Sequence, residues 1–216
     1  MRFDCLDPQA RPAGLDAATM AIASGELVVL PTDTVYGVGA DAFSPTAVER
    51  LVQAKGRGRD MPPPVLIGAP ETMAALVDEV PPWLQDVTAE FWPGPLTVVC
   101  REQPSLAWDL GDTHGTVAVR VPADDLAIDL LKATGPMAVT SANLTGQPAA
   151  TTIEEAENML GDAVAVYLDG GPSRGGQAST VLDVTAATPR LLREGPVTLE
   201  DLHRFNNTIM RSDAGA

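Results

Sequence analysis

Pro31-Thr32-Asp33-Thr34-Val35-Tyr36-Gly37-Val38-Gly39-Ala40 follows a short apolar run, Leu27 to Leu30. That run reads as a buried strand, and Pro31 ends it because proline has no backbone N–H to give a ladder. Two hydroxyls, a carboxylate, a tyrosine and two glycines then fall within nine residues. This is loop chemistry at a strand end, where α/β proteins place ligand sites. Gly37 and Gly39 permit backbone conformations or close approaches that a Cβ would block. A tight structural turn would use the same residue types, so the rest of the chain must decide between the two readings.

Working outward, helices and strands alternate. Residues 14–24 read as an amphipathic helix closed by Gly25. Ser44-Pro45 opens a second helix, with serine as cap and proline in the first turn, and Gly56 closes it. Val65–Ile67 reads as a strand, and Glu71–Val77 and Pro82–Phe91 as helices. Strands over Leu96–Cys100 and Val117–Val121 precede a helix over Asp124–Ala133 capped by Asp124. Met137–Thr140 is a strand and Ile153–Leu160 a helix. Strands over Val164–Leu168, Thr180–Val184 and Leu191–Leu192 dominate the last third, before a helix over Leu199–Asn206. The pattern predicts a single α/β (mixed α+β) domain over 1–216, a twisted mixed parallel and antiparallel sheet with packed helices. Its core is expected over about 10–206, with 207–216 a flexible tail.

The 216 residues are 45% hydrophobic, which supplies a sizeable core. No apolar run of about 18 residues indicates a membrane span. Asp4 and Asp7 interrupt the region where a signal peptide would be apolar, and Cys5 and Cys100 lack the spacing of a disulfide or zinc framework, so a reducing cytoplasm is expected. The formal charge of −15 repels nucleic acid at long range. Within this acidic body, Lys55, Arg57 and Arg59 cluster just beyond the second helix. A local positive pocket of that size suits a small anion better than a long polyanion. A solvated basic turn at the negative end of a helix dipole is the alternative. As a phosphate clamp, lysine offers a point charge and arginine a planar fork. Lys55 and Arg57 are expected in an exposed loop.

Two further segments repeat the pattern of an apolar strand meeting hydroxyls and glycine. They are Val139-Thr140-Ser141-Ala142-Asn143-Leu144-Thr145-Gly146 and Gly175-Gly176-Gln177-Ala178-Ser179-Thr180. Each could also be a plain Asx or serine turn. Arg120 and Arg193 stand in or beside apolar strands, where a charge needs a partner, a ligand or a face turned to water. There is no Walker A sequence and no GxGxxG after a strand. His114 and His203 are the only histidines, which gives little support to a Ser-His-Asp triad or a histidine metal site. Cys100, in an apolar strand, reads as an inert buried thiol. What remains is a set of hydroxyls with arginine and lysine, suited to aligning anions and stabilising developing charge.

Taken in order, PTDTVYGVGADA (31–42), KGR (55–57), WPGPLTVV (92–99), TVAVRVP (116–122), TSANLTGQPAATT (140–152), STVLDVT (179–185) and LLREG (191–195) resemble the YrdC-like family of L-threonylcarbamoyladenylate synthases. The resemblance runs from about Leu27 to Gly195. It implies a YrdC-like fold and a nucleotidyltransferase in which L-threonine, bicarbonate and ATP give threonylcarbamoyl-AMP and pyrophosphate. The product would feed a tRNA modification through downstream threonylcarbamoyl transferase machinery, with no stable tRNA binding by this chain. The resemblance further implies that Lys55 and Arg57 are catalytic and hold the ATP phosphates. Thr116, Ser141, Asn143 and Arg193 would complete the ATP site, and Thr34, Arg120, Thr140 and Ser179 the threonine site. Mg²⁺ is expected with ATP but without a dedicated protein cage.

The chain departs from the family where a polar residue and then a histidine usually follow the basic cluster. Here Met61 and Leu66 stand at those positions, with Arg59 available to compensate. Only a short segment follows Arg193, as in the short form of the family. Two alternatives stay open. One is an RNA-binding module of the same fold, opposed by the acidic charge and by aromatics at 4% of residues. The other is a nucleotide-binding paralogue without synthase activity.

Overall fold

The computed structural model describes residues 1–212. Among them are eleven strands and seven α-helices. The chain runs β1 (Arg2–Asp4), α1 (Arg11–Ala23), β2 (Val28–Leu30), β3 (Gly37–Asp41), α2 (Pro45–Ala54) and β4 (Val65–Leu66). It continues through α3 (Met73–Leu76), α4 (Pro82–Phe91), β5 (Leu96–Arg101), β6 (Thr116–Arg120), α5 (Asp125–Thr134) and β7 (Met137–Ser141). It ends with α6 (Ile153–Leu160), β8 (Val166–Asp169), β9 (Thr180–Asp183), β10 (Arg190–Arg193), α7 (Leu199–His203) and β11 (Met210–Arg211).

The strands form one mixed sheet in the order β1-β8-β2-β3-β7-β4-β6-β5-β9-β10-β11. The helix signals read from sequence act as such. Ser44 Oγ accepts the Ala47 amide at the start of α2, and Asp124 Oδ1 accepts the Ala127 amide at the start of α5. Each such cap contributes about 1 kcal/mol.

Alternate residues of a strand enter opposite layers. Leu27 and Val29 join the larger apolar cluster with residues of α2, α3, α4 and α6. Val28 and Leu30 join a smaller one with α1 and α5. Leu66 and Val139 of the central strands also belong to the smaller cluster. They carry that face of the sheet into the cavity described below.

Three strands escape the sequence reading. Gly37–Asp41, expected as loop, is β3, antiparallel to β2 and β7. Its glycines hide it because they carry no β-branched signal, and their purpose is proximity. A Cβ on Gly37 would lie 2.7 Å from Val139 Cγ1, and one on Gly39 2.8 Å from Met137 Cε. β1 pairs in parallel with β8. Within the expected tail 207–216, β11 pairs with β10, which corrects that reading for 210–211, whereas 213–216 lie outside the described residues.

Candidate active site

The loop between β2 and β3 is built on its own hydroxyls. Thr32 is buried, and its Oγ1 donates to the Val35 carbonyl at 2.6 Å while lying 2.9 Å from Thr34 Oγ1. Tyr36 is fully buried, donates to the Gly171 carbonyl at 2.6 Å and accepts the Gly170 amide at 3.1 Å. The loop is thereby tied to the end of β8. The glycine-rich segment lies directly against it. Gly176 N donates to the Thr34 carbonyl at 2.8 Å, and a Cβ on Gly175 would lie 2.4 Å from the Asp33 carbonyl oxygen.

This loop walls one side of a cavity of about 230 Å³. Three guanidinium side chains, Arg57, Arg120 and Arg193, line it together with Thr34, Thr97, Thr140, Ser141 and Ser179. Leu66 and Val139 give it an apolar patch. Segments more than a hundred residues apart in sequence therefore meet in one cavity.

Arg120 ends β6 with its side chain only 7% exposed. Its Nε donates to the Gly94 carbonyl at 2.9 Å, Nη1 to Thr34 Oγ1 at 3.0 Å and Nη2 to Asp33 Oδ1 at 2.5 Å. Of the five N–H donors of a guanidinium, two remain for a ligand. Burial pulls the Arg120 pKa below its usual value, and Asp33 opposes that pull. Arg193 donates from Nε to the Ser179 carbonyl at 2.8 Å and from Nη2 to Ser179 Oγ at 3.2 Å. Ser179 Oγ in turn lies 2.9 Å from Thr97 Oγ1.

Arg57 and Lys55 part company. Arg57 is half-buried, lines the cavity and donates to Thr140 Oγ1 at 3.1 Å and Thr145 Oγ1 at 3.2 Å. Lys55, expected in an exposed loop, is 1% exposed at the C-terminal cap of α2. Its ammonium donates to the Ser141 carbonyl and to Asn143 Oδ1, the latter at 2.8 Å. Asn143 then donates to the Leu144 and Gln147 carbonyls at 2.9 and 2.7 Å. Lys55 and Asn143 thus form the layer beneath the cavity wall and shape the 141–147 loop. Burial, with Arg57 beside it, pushes the Lys55 pKa down to about 7.

The remaining predicted residues divide. Ser141, Thr140, Thr34 and Ser179 line the cavity. Thr116 begins β6, about 13 Å along the strand from Arg120, and its Oγ1 donates to the Thr113 carbonyl at 2.8 Å. Arg59 does not compensate for Met61 and Leu66. Its side chain is exposed and paired with Asp109 at 2.7 Å and Asp112 at 3.6 Å, outside the cavity lining. Sequence reasoning missed Thr97 and the layer role of Lys55. Thr97 carried one signal, a hydroxyl inside the apolar run Leu96–Cys100, because a buried hydroxyl needs a partner. No carboxylate lines the cavity, and among the described residues no cluster of three or more His, Cys, Asp or Glu could hold a metal.

Residues 20–195 match the model of the Sua5/yciO/yrdC family, described as telomere recombination. The chain belongs to this family. It is 54% identical over 198 residues to a Mycobacterium tuberculosis protein assigned as a threonylcarbamoyl-AMP synthase, covering 92% of this chain and 91% of that one. Against the threonylcarbamoyl-AMP synthase of Pyrococcus abyssi it is 38% identical over 189 residues, covering 87% of this chain and 56% of that one.

Among solved structures of the Sua5/yciO/yrdC family, P. abyssi Sua5 complexed with L-threonine superposes with a TM-score of 0.86 at 36% identity. That match covers 92% of this chain and 58% of the Sua5 chain, so this chain spans little more than half of the Pyrococcus protein. Escherichia coli YciO, of similar length, superposes with a TM-score of 0.75 at 26% identity over 91% of this chain and 94% of that one. No helix among the described residues is long and apolar enough to cross a membrane.

Proposed function

We propose that this chain is a threonylcarbamoyl-AMP synthase, a nucleotidyltransferase acting on L-threonine, bicarbonate and ATP. The observation that carries the proposal is the meeting of three arginines and a set of hydroxyls in one small cavity of a chain with formal charge −15. Two anions must approach each other in this reaction, and fixed cations in a partly dry cavity lower their mutual repulsion.

The threonine amine, as the free base, adds to the carbon of bicarbonate-derived CO₂ and gives a carbamate. A carbamate oxygen then attacks the α-phosphorus of ATP, the bond to the β-phosphate oxygen breaks, and pyrophosphate leaves. The net products are threonylcarbamoyl-AMP, pyrophosphate and water. This chemistry needs alignment and charge stabilisation more than a protein nucleophile.

In this reading Arg120 grips the threonine carboxylate with its two remaining N–H groups, beside Thr34 and Ser179, with Thr140 at the edge of the amino-acid site. Arg57 and Arg193 face the phosphates, with Ser141 at the nucleotide. Lys55 acts from beneath the wall as the anchor of the 141–147 loop, and Asn143 acts through the shape of that loop. Mg²⁺ would travel on the nucleotide phosphates and supply charge screening there. The product would pass to a threonylcarbamoyl transferase acting on tRNA.

The test is pyrophosphate release from ATP with L-threonine and bicarbonate together, and with each omitted in turn. Release that needs both co-substrates is expected. Equal release without threonine would refute the assignment.

A further inference from the structure

Asp33 stands between the two threonines of the β2–β3 loop, yet it is absent from the lining of the arginine-rich cavity. Its carboxylate reaches Arg120 from behind. One oxygen, Oδ1, accepts Arg120 Nη2 at 2.5 Å and the Ala123 amide at 2.9 Å. The side chains are 7% exposed for Arg120 and 14% for Asp33. Asp33 lines a different cavity, of about 400 Å³, on the far side of the loop. The same oxygen therefore joins the end of β6, the turn before α5 and the β2–β3 loop.

A guanidinium has a planar fork whose direction decides whether it can take a carboxylate with two parallel bonds. Gly94 and Thr34 hold Nε and Nη1 from two sides, and Asp33 is the carboxylate that holds Nη2. Arg193, the other cation acting on this group, repels it. Without Asp33, Arg120 would keep its neighbours on the β2–β3 and Gly94 side but lose its charge partner and the restraint on the plane of the fork.

We propose that Asp33 is a positioning residue: through its single shared oxygen it sets the orientation of the Arg120 guanidinium that receives the carboxylate of the amino-acid substrate. This rests on the reading of Arg120 as the amino-acid carboxylate site. Asp33 does not touch substrate and takes no proton. Its contribution lies in the affinity for the amino acid and not in the nucleotide half of the reaction.

The experiment measures KM for L-threonine, KM for ATP and kcat in the pyrophosphate-release assay for Asp33→Ala, Asp33→Asn and Arg120→Ala. Asp33→Ala is expected to raise the threonine KM about tenfold or more, with the ATP KM within about twofold. Asp33→Asn keeps an oxygen acceptor at the same place and is expected to recover at least threefold of that loss. Adding Asp33→Ala to Arg120→Ala should change the threonine KM no further, since the residue it positions is gone.

An unchanged threonine KM in Asp33→Ala, when Arg120→Ala raises it, overturns the positioning role alone. So do equal rises in both KM values, which would mark general loosening. An unchanged threonine KM in Arg120→Ala overturns the underlying reading instead. Should Asp33→Ala fail to fold, Asp33→Asn decides: a tenfold rise in its threonine KM would place the effect in the charge and refute the shared-acceptor mechanism.

Discussion

Replacing Lys55 by methionine keeps much of the side-chain volume and removes the only buried ammonium at the site. Asn143 Oδ1 loses the ammonium donor, whereas the Ser141 carbonyl loses one of two donors and keeps the Asn143 backbone amide at 2.9 Å. A buried acceptor left unsatisfied costs about 1–3 kcal/mol, so the loss at Asn143 Oδ1 opposes folding by roughly that amount. Against this, the variant no longer buries a charge that burial disfavours. The pH dependence separates the two effects. Lys55 titrates near pH 7 in the folded chain, pushed down from 10.5 by burial and then by Arg57. Between those values the unfolded chain binds a proton that the folded chain does not. Folding stability of the native protein therefore rises with pH across this window.

The slope approaches about 1.4 kcal/mol per pH unit. From pH 7 to pH 9 the gain is at most about 2 kcal/mol, and solvent in the adjoining cavity reduces it to on the order of 1 kcal/mol. Lys55→Met lacks this gain, so the variant should fall further behind the native protein at pH 9 than at pH 7. Urea unfolding at the two pH values reads the difference, as a change of roughly 0.3–1 M in the gap between midpoints for slopes of about 1–3 kcal/mol per M. A gap that is the same at both pH values would refute the buried, proton-shedding lysine. A gap that narrows would reverse the sign of the argument.

Arg57→Ala removes two bonds to threonine hydroxyls from a half-buried side chain. Pyrophosphate release should fall at least tenfold while urea unfolding reports a loss of about 1 kcal/mol. Gly175→Ala places a methyl group 2.4 Å from the Asp33 carbonyl oxygen, so the glycine-rich segment must move off the threonine loop. A destabilisation of about 1–3 kcal/mol and a higher threonine KM are expected, and native values of both would contradict the close packing. The Cys5 and Cys100 thiols are pushed up by burial to about 11 and about 12. Native protein at pH 8 should react with a chromogenic disulfide reagent on the order of 100-fold slower than an unshifted thiol, and denatured protein should release both thiols at once.

The partition of charge in this molecule follows from the physics of its substrates as proposed. The chain carries a formal charge of −15, and its arginines gather in the cavity where, in this reading, small anions would meet. Several of the hydroxyls around them already bond to one another or to the arginines. Polar groups held in this way need little reorganisation when charge develops. Lys55 anchors the 141–147 loop without occupying the cavity, which leaves the opening to the side chains that face a ligand.

Local chemistry made much of this protein legible without a structure. Helix starts such as Ser44-Pro45 and Asp124 are readable because a cap is a bond between residues three apart. Strands such as Leu96–Cys100 are readable because β-branched runs bury well. The ordered motifs from Pro31 to Gly195 were enough to place the chain in its family. Pairing across the sheet was not readable. β3 is rich in glycine because it must lie close to β7, and that need exists only once Val139 and Met137 stand opposite it. β1 and β11 are too short to carry a pattern of their own.

The same holds for the site: which cations would gather was visible from residue type, but which of them face the cavity was not. Lys55 and Arg57 are two residues apart, and one is buried while the other lines the opening. Thr116 and Arg120 share a strand, and only Arg120 reaches the cavity. Asp33 acquires its place only through contacts 87 and 90 residues away. Sequence neighbours share a backbone path, whereas burial and charge pairing depend on what the folded sheet and its loops bring against each side chain, and that is decided in three dimensions.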